Sequence, residues 1–255
     1  MHKIIIDENI AFADKAFNHL GVVETVPGRF ISNQLLKDAD ILIVRSITRV
    51  DKYLLKGTNV KFVGTATIGT DHIDLDYLKR NKIAFAGAKG CNAFSVAEYV
   101  VALLFYLSVK YNFVLKDKSI GIVGVGNIGS KVARFAEALG MKILLNDPPL
   151  ERIGVPGKFV SLNEILKCDI ITLHTPLNPN GLDKTLHLIN KDNLAALKEN
   201  TILINTSRGA VVNNYDLLET IKRKRIITVL DVWEHEPAIN SELLERTDIA
   251  TPHIA

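Results

Sequence analysis

The chain has 255 residues, 47% of them hydrophobic, and a slightly positive mean hydropathy, enough to bury one large core or two modest ones. Its formal net charge of only +3 offers no argument for nucleic acid or an acidic membrane surface as partner. Two cysteines, Cys91 and Cys168, lack CxxC spacing and are expected in apolar surroundings as reduced thiols. The chain also opens on an apolar strand rather than a secretory signal, so a cytoplasmic protein is expected.

Short β-branched runs alternate with longer helical patterns along the chain. Strands are predicted at Lys3–Ile6, Ile41–Arg45, Lys61–Thr65 and Ile83–Ala86, and a helix over Ala93–Val109. The longest apolar run, Tyr99 to Leu107, falls short of the about 20 residues that span a bilayer, so that helix is read as buried. Further strands are predicted at Ser119–Val123, Lys142–Asn146, Asp169–Leu173, Thr201–Asn205, Ile227–Asp231 and Ile249–Ala250. Continuous apolar strands in repeated βα order imply parallel sheets covered by helices on both faces, a doubly wound α/β architecture. Two such sets imply two domains: residues 1–92, a connecting helix and linker at 93–118, and residues 119–255. The basic run Lys222 to Arg225 reads as a solvated helix end, where cations suit the negative end of the dipole.

The segment Gly124-Val125-Gly126-Asn127-Ile128-Gly129 fits GxGxxG, a weak pattern alone. Its context strengthens it. A predicted strand precedes it, a helical pattern from Lys131 to Leu139 follows, and the next strand ends in Asp147, 18 residues past Gly129. Together these parts predict a dinucleotide site. Gly124 permits the turn, Gly126 lets backbone approach a pyrophosphate, and Gly129 lets the helix pack close to the sheet. Asn127 and Ile128 open the helix toward the phosphates. A carboxylate at Asp147 suits ribose hydroxyls and repels a 2′-phosphate, which favours NAD.

Three polar segments follow later predicted strands: Asn205-Thr206-Ser207-Arg208-Gly209, Asp231-Val232-Trp233-Glu234-His235-Glu236-Pro237 and Thr251-Pro252-His253. Ligands of open α/β sheets bind at such carboxyl ends. A histidine can move a proton near neutral pH, a carboxylate can orient it, and an Arg fork can hold a substrate carboxylate. His253, Glu236 and Arg208 suit these three roles. His72, between Asp71 and Asp74, is read as capping a helix start rather than as part of a metal cluster; no metal site is expected. His235 is expected to face solvent.

These segments resemble the signatures of the D-isomer-specific 2-hydroxyacid dehydrogenases. The resemblance implies a flavodoxin-like substrate domain and a Rossmann NAD-binding domain. It implies that Arg208 holds substrate, Glu236 partners the histidine and His253 is the acid/base. It places Asp231 near the nicotinamide carboxamide, Thr206, Ser207 and Arg208 along the same pocket, and His174, Thr175 and Pro176 against the cofactor. One branch of the family, acting on a small phosphorylated 2-hydroxy acid, is matched in particular. Its marks are Asp7-Glu8-Asn9, Val26-Pro27-Gly28-Arg29, Arg45-Ser46, the stretch Gly64–His72, Gly90-Cys91-Asn92-Ala93, Asp147-Pro148-Pro149 and Lys184-Thr185-Leu186-His187-Leu188. In that branch Ser46 and Thr67 contact substrate, while Arg45 suits a phosphate or an ion pair equally.

Family members continue past Thr-Pro-His with a Gly-Tyr pair, a helix completing the first domain and, in this branch, a dimerisation domain. The resemblance therefore implies a homodimer for a full-length member, and low activity and poor stability for the 255 residues by themselves. Two other readings stay open: a branch acting on 3-phosphoglycerate, and an NAD-sensing binding protein of the same fold.

Overall fold

A computed structural model describes residues 1–67, 69–88 and 90–255. Ile68, within the Gly64–His72 mark, lies outside the described residues. By internal contacts the chain divides into two compact units, Met1–Asn92 and Ala93–Ala255. The helix that the sequence suggests as a connector, observed at Ala93–Lys110, is grouped with the second unit.

The first unit holds one sheet of β1 (His2–Asp7), β2 (Gly21–Val26), β3 (Ile41–Val44), β4 (Phe62–Thr65) and β5 (Ala84–Gly87), in the order β2-β1-β3-β4-β5. Every neighbouring pair is parallel. Alternation along the central strands feeds two cores. Ile5, Leu42, Val44 and Val63 pack on one face, and Ile4, Ile6 and Ile43 on the other. Each fully buried aliphatic side chain of this kind stabilises the fold by roughly 1.5–3 kcal/mol. β2 is absent from the sequence reading. It is an edge strand whose residues 21–26 are all at least partly exposed, so Glu24 and Thr25 break the apolar run that marks a central strand.

The second unit holds β6 (Ser119–Val123), β7 (Lys142–Asn146), β8 (Ile170–Leu173), β9 (Ile202–Asn205), β10 (Ile227–Leu230) and β11 (Ile249–Ala250), in the order β11-β10-β9-β8-β6-β7, all parallel. A single parallel bridge from Leu145 to Phe159 supplies a rudimentary strand beyond β7. With it the order is that of the doubly wound dinucleotide fold. Residues of β8, β9 and β10 are buried throughout, as strands covered on both faces must be. Val123, Ile171, Leu203 and Leu230 face one core; Ile120, Ile122, Ile204 and Val229 face the other.

Helix Ala93–Lys110 is long and apolar enough, by length and composition, to cross a membrane. In this unit its Ala97, Val100, Leu103, Leu104 and Leu107 are part of the second core. The basic run follows helix Asn214–Ile221, as expected, but is more paired than a solvated end: Lys222 meets Glu219 and Glu242, each at 3.0 Å, and Arg225 meets Asp248. Cys168 is buried and free, whereas Cys91, expected in apolar surroundings, is exposed and free.

Candidate active site

In the second sheet the chain order reverses between β6 and β8, and a crevice at their carboxyl ends follows from that topology. Gly124, directly after β6, has φ +86, and a Cβ there would stand 2.6 Å from the carbonyl oxygen of His174. Only glycine suits that position. A Cβ on Gly129 would stand 1.9 Å from the Gly124 carbonyl oxygen, so the helix starts directly against the loop. Nothing in the protein lies within 4 Å of where a Gly126 Cβ would be. The absent side chain leaves open space instead of relieving a clash.

Helix Gly129–Ala138 starts there with no side-chain cap. Its first N–H groups suit an anion. Asp147 ends the next βα step. Its Oδ2 accepts from the Val125 N–H at 2.7 Å, and its Oδ1 accepts from the Leu150 N–H at 3.0 Å. The carboxylate is thus held over the glycine loop, and each oxygen keeps a lone pair for a ribose hydroxyl. Thr175 Oγ1 is buried with no hydrogen-bond partner among the described residues. A buried hydroxyl left in this way fits a ligand contact. Open space, uncapped helix, held carboxylate and orphaned hydroxyl together fit a dinucleotide.

His174 lies between these parts. Its Nε2 is 2.9 Å from Thr172 Oγ1 and its Nδ1 3.3 Å from Thr206 Oγ1. Part of the residue meets solvent, yet desolvation pushes its pKa down to about 3, so the ring is neutral at physiological pH. Thr206 and Ser207 are buried, and Asn205 shapes the turn after β9. Asn205 Oδ1 accepts from the Ser207 N–H at 3.1 Å, and its Nδ2 donates to the Arg208 carbonyl at 3.0 Å. Arg208 Nη1 donates to the Ser207 carbonyl at 2.7 Å.

The acid/base candidates come together beyond β10 and β11. His253 Nδ1 is 3.0 Å from Glu236 Oε2, and Glu236 Oε1 accepts from the Trp233 N–H at 2.7 Å. The hydrogen bond to Glu236 raises the His253 pKa. Desolvation and the Arg208 charge oppose that rise, while the Glu236 and Asp231 charges add to it. Burial pushes the Glu236 carboxyl up, but the bonds from His253 and Trp233 and the nearby Arg208 charge outweigh it and leave the pKa lowered. Arg208 acts electrostatically on both groups, so one field joins all three. Glu236-Pro237 is a cis peptide.

Asp231, expected beside the cofactor, is buried, and its side chain accepts three hydrogen bonds. Its Oδ1 accepts from Thr251 Oγ1 at 2.6 Å and the Ile254 N–H at 2.9 Å, and its Oδ2 accepts from the Ala255 N–H at 3.0 Å. The His253 N–H donates to the Asp231 carbonyl at 2.8 Å. Asp231 therefore anchors the segment carrying His253. Tyr99 extends the anchor, its hydroxyl 2.6 Å from Thr251 Oγ1, and Trp233 Nε1 donates to the Thr251 carbonyl at 3.2 Å. Tyr99, Trp233 and Asn205 have no role in the sequence reading. Tyr99 stands 152 positions from its partner, and no local pattern signals such a contact.

In the first unit Ser46 and Thr67 lie just past β3 and β4. Ser46 is exposed, and Thr67 Oγ1 is 2.8 Å from Thr65 Oγ1. The helix-start reading of His72 is corrected: Asp74 Oδ1 caps helix Leu75–Arg80 from the Tyr77 N–H, and His72 Nε2 is 3.0 Å from Thr65 Oγ1. The short acidic side chain reaches its own first-turn amide, as imidazole does not. His235 is exposed, as expected.

The model of the D-isomer specific 2-hydroxyacid dehydrogenase NAD-binding domain matches residues 108–255. Erythronate-4-phosphate dehydrogenase of Photorhabdus laumondii is 50% identical over 255 residues, covering 99% of this chain and 68% of that protein. The enzyme of the same name from Proteus mirabilis is 51% identical with the same coverage. Among solved structures, D-lactate dehydrogenase from Aquifex aeolicus, complexed with NAD and lactic acid, is similar at TM-score 0.81 and 28% identity, covering 99% of this chain and 88% of that one. NAD+-bound 3-phosphoglycerate dehydrogenase of Entamoeba histolytica is similar at TM-score 0.82 and 27% identity, covering 98% and 86%. The chain belongs to the D-isomer specific 2-hydroxyacid dehydrogenase family.

Proposed function

We propose that this protein oxidises 4-phospho-D-erythronate to 2-oxo-3-hydroxy-4-phosphobutanoate with NAD, a step of pyridoxal 5′-phosphate (vitamin B6) biosynthesis. The observation that carries the chemistry is the His253–Glu236 pair at 3.0 Å within the field of Arg208. The substrate rests on the 50% identity to erythronate-4-phosphate dehydrogenases across the chain. The homodimer implied by the resemblance and the cytoplasmic location expected from the sequence belong to the same reading.

NAD supplies the hydride acceptor. Gly124, Gly126, Asn127, Ile128 and Gly129 receive its phosphates, Asp147 its ribose, and Thr175, Thr206, Ser207 and Asp231 line the remainder. The Arg208 guanidinium grips the substrate carboxylate and so orients carbon 2. Ser46 and Thr67 enter this reading as the substrate contacts that the family resemblance implies. His253 Nε2 takes the proton of the 2-hydroxyl as hydride departs. Glu236, on Nδ1, fixes the ring and stabilises the imidazolium that forms.

The test is turnover on erythronate 4-phosphate, 3-phosphoglycerate and glycerate with NAD, followed by NADH absorbance. We expect the highest kcat/KM for erythronate 4-phosphate. Preference for either other acid would reject the substrate, and NADH-dependent capture of a protein without any turnover would reject the enzymatic reading.

A further inference from the structure

The segment Lys184-Thr185-Leu186-His187-Leu188 has no part in the mechanism, yet it contains a histidine held in an unusual conformation. His187 has φ +52, a region that side-chain-bearing residues seldom occupy. Backbone bonds on one side and its imidazole on the other keep it there. Its N–H donates to the Ala210 carbonyl at 2.8 Å, and the Ile189 N–H donates to the Val211 carbonyl at 3.0 Å. The segment thus runs beside the residues that directly follow Arg208. On the side-chain end, His187 Nε2 is 2.7 Å from Glu234 Oε1. Glu234 is clamped again by Asn214: its Oε2 accepts from the Asn214 N–H at 2.7 Å, and its own N–H donates to Asn214 Oδ1 at 3.2 Å.

Glu234 stands two residues before Glu236, on the short loop whose Trp233 N–H also holds Glu236. The two loops touch as well, because a Cβ on Gly209 would lie 1.9 Å from the Trp233 carbonyl carbon. We propose that His187 is a positioning residue that braces the Arg208 loop through its backbone and the Glu236 loop through its imidazole, setting Glu236 against His253.

The brace needs no charge on His187. With Asn213 Nδ2 at 3.5 Å donating to Nδ1, the Nε2–H tautomer donates to Glu234 and satisfies both neighbours. The Glu234 side chain is only 14% exposed, so its carboxylate gains more from that donor than a solvated one would. A pair on a loop two residues from a working carboxylate controls geometry more than stability. A displacement of about 1 Å at such a site costs up to 10²-fold in rate.

The inference rests on His253 and Glu236 being the acid/base pair, and its test separates the two claims. His187→Leu and His187→Gln share the same backbone cost at φ +52, and only Gln restores a donor. The primary readout is the NMR titration of the His253 ring, whose charged surroundings are Glu236, Asp231 and Arg208. It needs no substrate, so a wrong substrate assignment leaves it standing. With His187→Leu, the His253 pKa falls and kcat drops roughly 10–100-fold with NAD affinity unchanged. His187→Gln recovers most of both. Glu234→Leu removes the link from the other side and decides the matter if His187→Leu folds poorly. A His253 titration and kcat equal to the parent's in Glu234→Leu, with only the Tm lowered, overturns the proposal.

Discussion

The two sheets share their strand order over five strands, and each has a switch point beside its first strand: between β1 and β3 in one, between β6 and β8 in the other. The ends of those strands differ in kind. After β6 comes a glycine loop with open space at Gly126, leading into the ten-residue helix Gly129–Ala138. β1 itself ends in Asp7, fully buried, one oxygen accepting from the Asn9 N–H at 2.9 Å and the other without a partner among the described residues. Gly28 closes over that free oxygen, since a Cβ there would be 2.3 Å from it. The following helix, Ala13–Phe17, has only five residues. A buried carboxylate repels phosphate where bare backbone N–H groups attract it. Topology therefore supplies a crevice twice, and the chemistry of the residues at the strand end decides what enters.

Within the second sheet a further division appears. The glycine loop, the Asp147 carboxylate and the Thr175 hydroxyl gather at β6, β7 and β8, while the acid/base candidates His253 and Glu236 gather past β10 and β11. The sharpest way to break that division is His253→Ala. Turnover should fall by something like 10²–10⁴-fold while NAD affinity, read by fluorescence titration, stays as in the parent. The parent's pH profile sharpens the point. His253 must be neutral to accept a proton, and Glu236 raises its pKa above the ordinary value of 6.5. The kcat/KM for oxidation should therefore climb with pH through a midpoint above that value, and the limb should vanish in His253→Ala. Loss of NAD binding in the variant would show that the two ends are not separable.

A smaller effect tests the open space at Gly126. Gly126→Val fills it and should weaken NAD binding roughly 10–100-fold, the 1–3 kcal/mol typical of an overfilled site. An unchanged Kd would mean that the crevice does not receive the phosphates. The smallest effect belongs to the other switch point. Asp7→Asn should leave NAD affinity within about twofold, because Asp7 belongs to the first sheet and not to the glycine loop of the second. A larger change in calorimetric Kd would defeat the contrast between the two crevices.

Much of this organisation is legible in the chain itself. The central strands announce themselves because burial on both faces demands unbroken apolar runs such as Ile202-Leu203-Ile204. The glycine fingerprint is readable because Gly124 and Gly129 answer local steric demands that no other residue meets. Edge strand β2 escapes notice for the opposite reason, having solvent on its residues and a carboxylate within it. His72 is misread as a cap because proximity in sequence cannot tell which side chain reaches the first-turn amide.

The sequence by itself determined the parallel α/β class, the dinucleotide crevice and the identity of Arg208, Glu236 and His253 as residues worth bringing together. Each of these depends on local pattern, on spacing within a few tens of residues, or on family resemblance. Only the tertiary structure decided how those side chains are held. Asp231 takes up the segment carrying His253, Tyr99 reaches Thr251 across 152 positions, and His187 meets Glu234 across 47. Such partners are chosen by the three-dimensional closure of loops at one end of a sheet. A hydrogen bond between distant segments leaves no periodic trace in the chain that makes it.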